Sequence, residues 1–374
     1  MNILRAFKTE LDLNNAQKTA CARHAGAARY AYNWGLARKL AAYQAGEKAP
    51  TAIDLHRELN VLKKTELSWM YEVSKYAPQE ALRNLDKAYA HFFRRVKEKR
   101  AGKNVKVGFP HFKSKKSGLG SFRLIGSIHV FEKAIQLPRL GVLRLKERGY
   151  LPINDVHILG ATVSEKGGRW FVSLQVEMDI PDPEPMEKPV AGVDLGVNRM
   201  AQVSDGKVFE NPRALKSTLT KLKRLQRVVS RRKKGSANRK KAVEQLATAY
   251  VHVANIRKGA LHQATTFLAK TKSAIVVENL NVSGMLKNHH LAQAIADVGM
   301  YEFRRQLQYK GIWYGCEVRM ADQFYPSTKR CSRCGQVKSV IGLDEREYQC
   351  ESCGLVIDRD LNAAINLEQL VYLS

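Results

Sequence analysis

Two C-x-x-C pairs near the carboxyl end constrain this chain more than any other feature. They are Cys331-Ser332-Arg333-Cys334 and Cys350-Glu351-Ser352-Cys353, each followed by a glycine, Gly335 and Gly354. Each pair is expected to form a knuckle that offers two thiolates to one metal, with glycine accommodating the tight turn beneath. Two knuckles supply the four ligands of one tetrahedral Zn²⁺. All four positions are then filled by protein, so the site should be closed, structural and non-catalytic, tying a small hairpin together. A redox dithiol pair or an iron–sulfur site is the alternative use of such cysteines. Cys21, among alanines, and Cys316 stand alone and read as small buried apolar residues.

Charge narrows the partners. Lys+Arg number 63 against 35 Asp+Glu, a net +28 in 374 residues. So large an excess calls for a polyanion, and nucleic acid is the leading choice. A basic ribosome-associated protein would share this charge. An anionic membrane is disfavoured, because no compact basic segment lies beside a long apolar helix face. No apolar run approaches the ~18 residues that span a bilayer, and the amino terminus does not resemble a signal peptide. A cytoplasmic protein of two or three domains is expected, with 44% hydrophobic residues to build its cores.

Periodicity divides the chain. The first dozen residues alternate and predict an edge strand. Residues 15–44 are alanine-rich and helical, as are residues 79–100, where Leu82, Leu85, Tyr89, Phe92 and Val96 form a stripe at helical spacing. Beyond a Gly/Lys-rich loop from Lys103 to Lys116, the period drops to two. Trp170, Val172, Leu174, Val176 and Met178 alternate with Phe171, Ser173, Gln175 and Glu177 after the turn signal Lys166-Gly167-Gly168-Arg169. Pro181, Pro183, Pro185 and Pro189 then forbid regular structure and mark the strongest domain boundary. Residues 190–203 predict one apolar strand, turned back at Asp205-Gly206. Residues 216–241 predict a very basic helical hairpin broken at Gly235-Ser236, and Ala274–Val277 a buried strand.

Three carboxylates occupy telling places. Asp194 interrupts the apolar run Ala191-Gly192-Val193-Asp194-Leu195-Gly196-Val197. Glu278 ends Ala274-Ile275-Val276-Val277, and Asp360 opens the helix-like Asp360-Leu361-Asn362-Ala363-Ala364-Ile365-Asn366. Each has an ordinary explanation: a turn residue, a partner for a neighbouring cation, a helix cap. Asp358, two residues before Asp360, could equally be the cap. Taken together in so basic a chain, they fit a Mg²⁺-dependent site for phosphodiester hydrolysis, in which hard cations prefer oxygen ligands.

The stretches around Asp194 (GVDLGV), Glu278 (VVENL), the knuckles and Asp360 (DRDLNAAINL) resemble the TnpB proteins of insertion sequences, relatives of the type V CRISPR effectors. The stretches 28–33, 107–113 and 230–236 resemble them too. The resemblance implies an α/β multidomain protein. A wedge β-barrel (1–12 and 103–180) and a helical recognition lobe (13–102) would accompany an RNase H-like RuvC nuclease domain (188–320 and 355–374) with an inserted zinc ribbon (321–354). It implies catalytic Asp194, Glu278 and Asp360 holding two Mg²⁺, replaceable by Mn²⁺ in vitro, and Zn²⁺ on Cys331, Cys334, Cys350 and Cys353. It implies a guide RNA derived from the transposon end, double-stranded target DNA beside a short adjacent motif, and a monomer on RNA in a bacterial or archaeal cytoplasm. The protein would read the motif while base pairing reads the target. Lys221, Arg224, Arg227, Arg231, Arg232, Lys233 and Lys234 would contact nucleic-acid backbone, and His56, Lys75 and Gln79 are candidates for reading the motif. Tyr30, Tyr32 and Trp34 could stack on bases, although core packing explains them more simply. An RNA-guided repressor, a compact type V CRISPR effector and a strand-transferring recombinase are the alternatives.

Overall fold

The computed structural model describes residues 1–115, 118, 120–183, 187–342 and 345–372; Lys116 and Pro185 lie outside them. The chain forms two compact units, Met1–Pro181 and Asp182–Ser374.

The first unit joins a helical layer to an antiparallel sheet. Its elements are β1 (Asn2–Asp12), α1 (Asn15–Gln44), α2 (Ala52–Leu62), a 3₁₀ turn at Ser68–Glu72, α3 (Tyr76–Arg100), β2 (Ser121–Leu124), β3 (His129–Phe131), β4 (Ala134–Leu137), β5 (Gly141–Leu145), β6 (His157–Lys166) and β7 (Arg169–Asp179). Capping boxes start the first two helices, Asn14 with Gln17 and Thr51 with Asp54. The small residues of α1 admit α3 closely: a Cβ on Gly35 would stand 2.7 Å from Leu82 Cδ2. The strand order is β2-β6-β7-β1-β5-β4-β3. Thus β1 is not an edge strand. It pairs with β7 along Asn2–Leu11 and with β5 at Leu11 and Asp12. Alternation reports which face of a strand is covered and carries no information about which edges are paired.

The second unit is a mixed sheet with helices on both faces. It contains β8 (Ala191–Asp194), β9 (Arg199–Val203), β10 (Val208–Glu210), α4 (Ala214–Arg231), α5 (Ala237–Thr271), β11 (Ala274–Val277), α6 (Val282–Met285), α7 (Ala292–Val298), α8 (Met300–Tyr314), β12 (Glu317–Met320), β13 (Glu347–Gln349), β14 (Val356–Asp358) and α9 (Arg359–Gln369). The order is β10-β9-β8-β11-β12; β8, β11 and β12 run parallel, while β9 and β10 are antiparallel neighbours. Val193, Ile275 and Val277 pack with Leu261, Leu268, Phe303 and Leu307 of α5 and α8; Val276 packs with Leu367 of α9. Burial on both faces explains the unbroken apolar runs. Residues 190–203 are two strands and not one. Leu195 and Val197, in the connection, join the core, which hides the turn from a hydrophobicity reading. The basic hairpin is present, with α5 continuing far past residue 241 to Thr271. No helix of the described residues is long and apolar enough to cross a membrane.

Candidate metal-binding active site

Sheet register brings the first two acids together. Val193 pairs with Val277 across parallel β8 and β11. The next residue on each strand is therefore an acid, Asp194 on one and Glu278 just past the other, at the carboxyl edge where α/β sheets bind ligands. Their carboxyl groups lie close enough to share a hydrogen bond. Burial pushes the Asp194 carboxyl well above the usual carboxylate range, and Glu278 and then Asp360 add to the shift, with Arg359 opposing it. Glu278 is also raised, first by burial, against a hydrogen bond donated by Ser327 Oγ to Oε1 at 2.6 Å.

Asp360 arrives on α9. Asp358 is the helix cap, its Oδ1 accepting from the backbone N–H groups of Asp360 and Leu361 at 3.0 Å each. Its other oxygen pairs with Arg199 at 2.9 Å, and Arg359 lies 3.4 Å from Asp360. The cap role therefore falls to Asp358 and leaves the Asp360 side chain in the first turn, beside the other two acids. The helix reaches that place because residue 192 is glycine. A Cβ there would lie 1.9 Å from the Ala364 carbonyl oxygen and 2.4 Å from the Glu368 nitrogen.

The donor set fits a hard divalent cation: of the three carboxylates, Asp194 is pushed toward protonation by burial and by the other two, and Glu278 by burial and by Asp360, so that a cation would relieve that cost. The cysteines fit a soft, tetrahedral one. Among the described residues, their four sulfurs are the set of candidate ligand atoms that all lie within 4.8 Å of one another. Backbone N–H groups of Cys353 and Ser352 push the Cys350 thiol down to about 6. Cys353, despite a hydrogen bond from the Leu355 amide, is pushed up to about 12 by burial and the neighbouring sulfurs. Tyr348, buried beneath, donates to the Lys329 carbonyl at 3.1 Å.

The surroundings are basic. Lys221, Arg224, Arg227, Arg231, Arg232, Lys233 and Lys234 are all exposed on the α4–α5 hairpin. Buried Asp297 anchors the start of that hairpin, accepting from the amides of Leu215 and Lys216 and pairing with Arg257 at 2.8 Å. A cleft of about 340 Å³ is lined by Asn279, next to Glu278, and by Tyr301, Arg304 and Arg305.

In the first unit, His56 is half-buried with Nε2 unpartnered, and its imidazole is held below its usual range by burial and by Lys63, Arg83 and Lys75. Lys75 is exposed and Gln79 half-buried, one helical turn apart at the start of α3. Tyr32 is buried and Trp34 packs on the core, while Tyr30 stays exposed, edge-on to Trp69 in an open cleft of about 780 Å³. Cys21 and Cys316 are buried, as their settings suggest. Reading the sequence missed Ser327, for which no motif exists, and the roles of Asn362 and Asn366, two amides at helical spacing in a small-residue helix. Both asparagines are fully buried.

Comparison with known proteins agrees on ancestry. Residues 173–289 match the IS605 OrfB family described as "Probable transposase", and residues 301–367 match "Cas12f1-like, TNB domain". Residues 1–48 match a "Helix-turn-helix domain" of the same OrfB group, although here they form one strand and one long helix. A "Putative RNA-guided DNA endonuclease" of Streptomyces pristinaespiralis is 34% identical over 368 residues, 98% of this chain and 89% of its own length. The "Putative RNA-guided DNA endonuclease InsQ" of Escherichia coli is 32% identical over 385 residues, 98% of this chain and 92% of its own. Among solved structures, the mini-RNA-guided endonuclease CRISPR-Cas_phi3 aligns over 99% of this chain and 92% of its own at 9% identity, with a TM-score of 0.45. Likeness that runs nearly end to end in its curated relatives makes this chain a member of the TnpB family.

Proposed function

We propose that this protein is an RNA-guided DNA endonuclease in which Asp194, Glu278 and Asp360 form the hydrolytic site. The observation that carries the reading is the placement of Asp194 and Glu278 side by side at the carboxyl ends of adjacent parallel strands, with Asp360 presented to them from α9. The strand order, a three-strand antiparallel meander continued by two parallel strands, supports an RNase H-like nuclease fold. The seven-stranded sheet with its helical layer supports the wedge and recognition roles for the first unit.

In this reading the three carboxylates hold Mg²⁺, which supplies charge stabilisation for hydrolysis of a phosphodiester. The chain's own residues do the positioning. Ser327 donates to one oxygen of Glu278 and so restrains that carboxylate. Asp358 and Arg199 fix the first turn of α9, and with it Asp360. The four cysteines hold Zn²⁺ away from the chemistry. Exposed cations of α4 and α5 offer phosphate contacts to a guide RNA and its paired DNA strand, while Lys75, Gln79 and His56 face the reading of an adjacent motif. The RNA comes from the transposon end and one protomer carries it in the bacterial or archaeal cytoplasm. All three acids are intact, which favours cleavage over a repressor that only binds.

Expression with the natural downstream flanking DNA, followed by sequencing of co-purified nucleic acid, tests the guide. One discrete RNA is expected; a heterogeneous mixture reflecting cellular RNA would contradict the reading.

A further inference from the structure

We propose that the first zinc knuckle is a clamp that sets the spacing of the acid cluster, with Ser327, Asn362 and Asn366 as positioning residues. This rests on reading the three acids as a divalent-cation site.

Helix α9 is held from two sides. Ala364, Leu367 and Glu368 meet Gly192 of the sheet. Asn362, Asn366 and Gln369, at i, i+4 and i+7, fall on the opposite side. They bind the backbone of residues 327–332. The Arg330 carbonyl accepts from Asn362 Nδ2 at 2.7 Å and from Asn366 Nδ2 at 2.6 Å. Ser332 donates its N–H to Asn362 Oδ1 at 2.9 Å and accepts from Gln369 Nε2 at 2.9 Å. Cys331, fully buried between these two residues, is thus tied to α9 on both flanks. The same segment reaches the other acid. Asn366 Nδ2 also donates to the Ser327 carbonyl at 2.8 Å, and Ser327 gives its hydroxyl proton to Glu278.

One stretch of six residues therefore carries a zinc ligand, grips the helix that bears Asp360, and hydrogen-bonds Glu278. Asn362 and Asn366 are wholly buried and Ser327 is 2% exposed. Asn366 Oδ1 is buried without a partner, but the amide N–H groups of both asparagines are spent on the knuckle, and stranding them would be costly, so these bonds define one register of helix against knuckle. A purely structural role would hold the ribbon and stop there. The hydroxyl of Ser327 goes instead to an acid, which links zinc occupancy to the geometry in which the second metal binds. Partners of metal-binding carboxylates tune affinity in this way.

The test uses the full chain without nucleic acid, Mn²⁺ as the probe, electron paramagnetic resonance for its binding and elemental analysis for zinc. Ser327→Ala is expected to keep its zinc and its melting temperature while Mn²⁺ affinity falls about tenfold, the low end for such partners. Ser327→Thr, which keeps the hydroxyl, restores affinity. In the guide-loaded enzyme the same Ser327→Ala change raises the Mg²⁺ needed for half-maximal cleavage by a similar factor. Asn362→Ala weakens Mn²⁺ binding from the helix side; if it also loses zinc, Ser327→Ala, which touches no cysteine, still decides. Parent-like Mn²⁺ affinity in Ser327→Ala overturns the clamp. Mn²⁺ binding that Asp194→Ala leaves unchanged removes the cation-site reading instead, and the clamp with it.

Discussion

At the scale of single residues, Asp194 holds an uncomfortable position. Its carboxyl is raised by burial, then by Glu278 and Asp360. A carboxyl that binds its proton more tightly folded than unfolded gives the native state extra protons. Its contribution to stability therefore falls as pH rises from the ordinary carboxylate range through the raised value. Asp194→Asn removes that cost, so in chelator at neutral pH the variant should melt above the parent. With Mg²⁺ present the parent should gain stability and the variant gain little. A variant that melts lower than the parent in chelator contradicts this account. Gly192→Ala should do the opposite of a silent change. Its Cβ meets the α9 backbone at 1.9 Å, so α9 must move, at about 1–3 kcal/mol for overpacking. Loss of cleavage should exceed loss of fold, measured by comparing melting with rate. The acids stand out in the sequence, Asp194 and Glu278 as lone charges at the ends of apolar runs and Asp360 at the opening of a small-residue helix. Their supporting groups were not. A serine that donates to Glu278 from 49 positions away leaves no local pattern.

At the scale of elements, what could be read follows from periodicity. Helix α1 begins and ends where the helical pattern does, between the Asn14 cap and the turn at Ala45. The hairpin of β6 and β7 turns at Gly167-Gly168, both with positive φ, as the paired glycines require. The failures have equally local causes. The turn after β8 is apolar because it lines the core, and α5 past Lys241 mixes exposed polar residues with buried ones such as Ala249, Val253 and Leu261, so no single stripe announces its length. The knuckles predict one Zn²⁺ per chain by elemental analysis. Cys331→Ser should lower that occupancy and destabilise the ribbon, while a fully occupied, equally stable variant would contradict a structural zinc. The basic hairpin makes a separate prediction. Replacing Arg224, Arg227 and Arg231 with Gln should weaken RNA binding and reduce the dependence of log affinity on log salt by roughly one for each phosphate no longer neutralised. An unchanged slope would mean that these cations are merely solvated.

At the scale of the whole molecule, net charge and motif order together said more than either alone. A charge of +28 is shared by many nucleic-acid-binding proteins. Three acids at the edge and helix of one mixed sheet, and four cysteines between them in sequence, are far more restrictive. Composition could not reveal the pairing of β1 within the seven-stranded sheet, because strand neighbours are chosen by long-range packing that no short window contains. Curated relatives matched nearly end to end place the chain in a family, and the task proposed for its acids rests on their placement in the sheet. That assignment is tested most directly by incubating the RNA-loaded protein with a plasmid library carrying the matched target beside randomised flanking sequence, with Mg²⁺, in parallel with Asp194→Ala. Double-strand cleavage confined to matched plasmids with one flanking motif, and lowered by at least ~10³-fold in the variant as expected for removal of an essential catalytic group, is the predicted result. Matched cleavage that survives Asp194→Ala would contradict it.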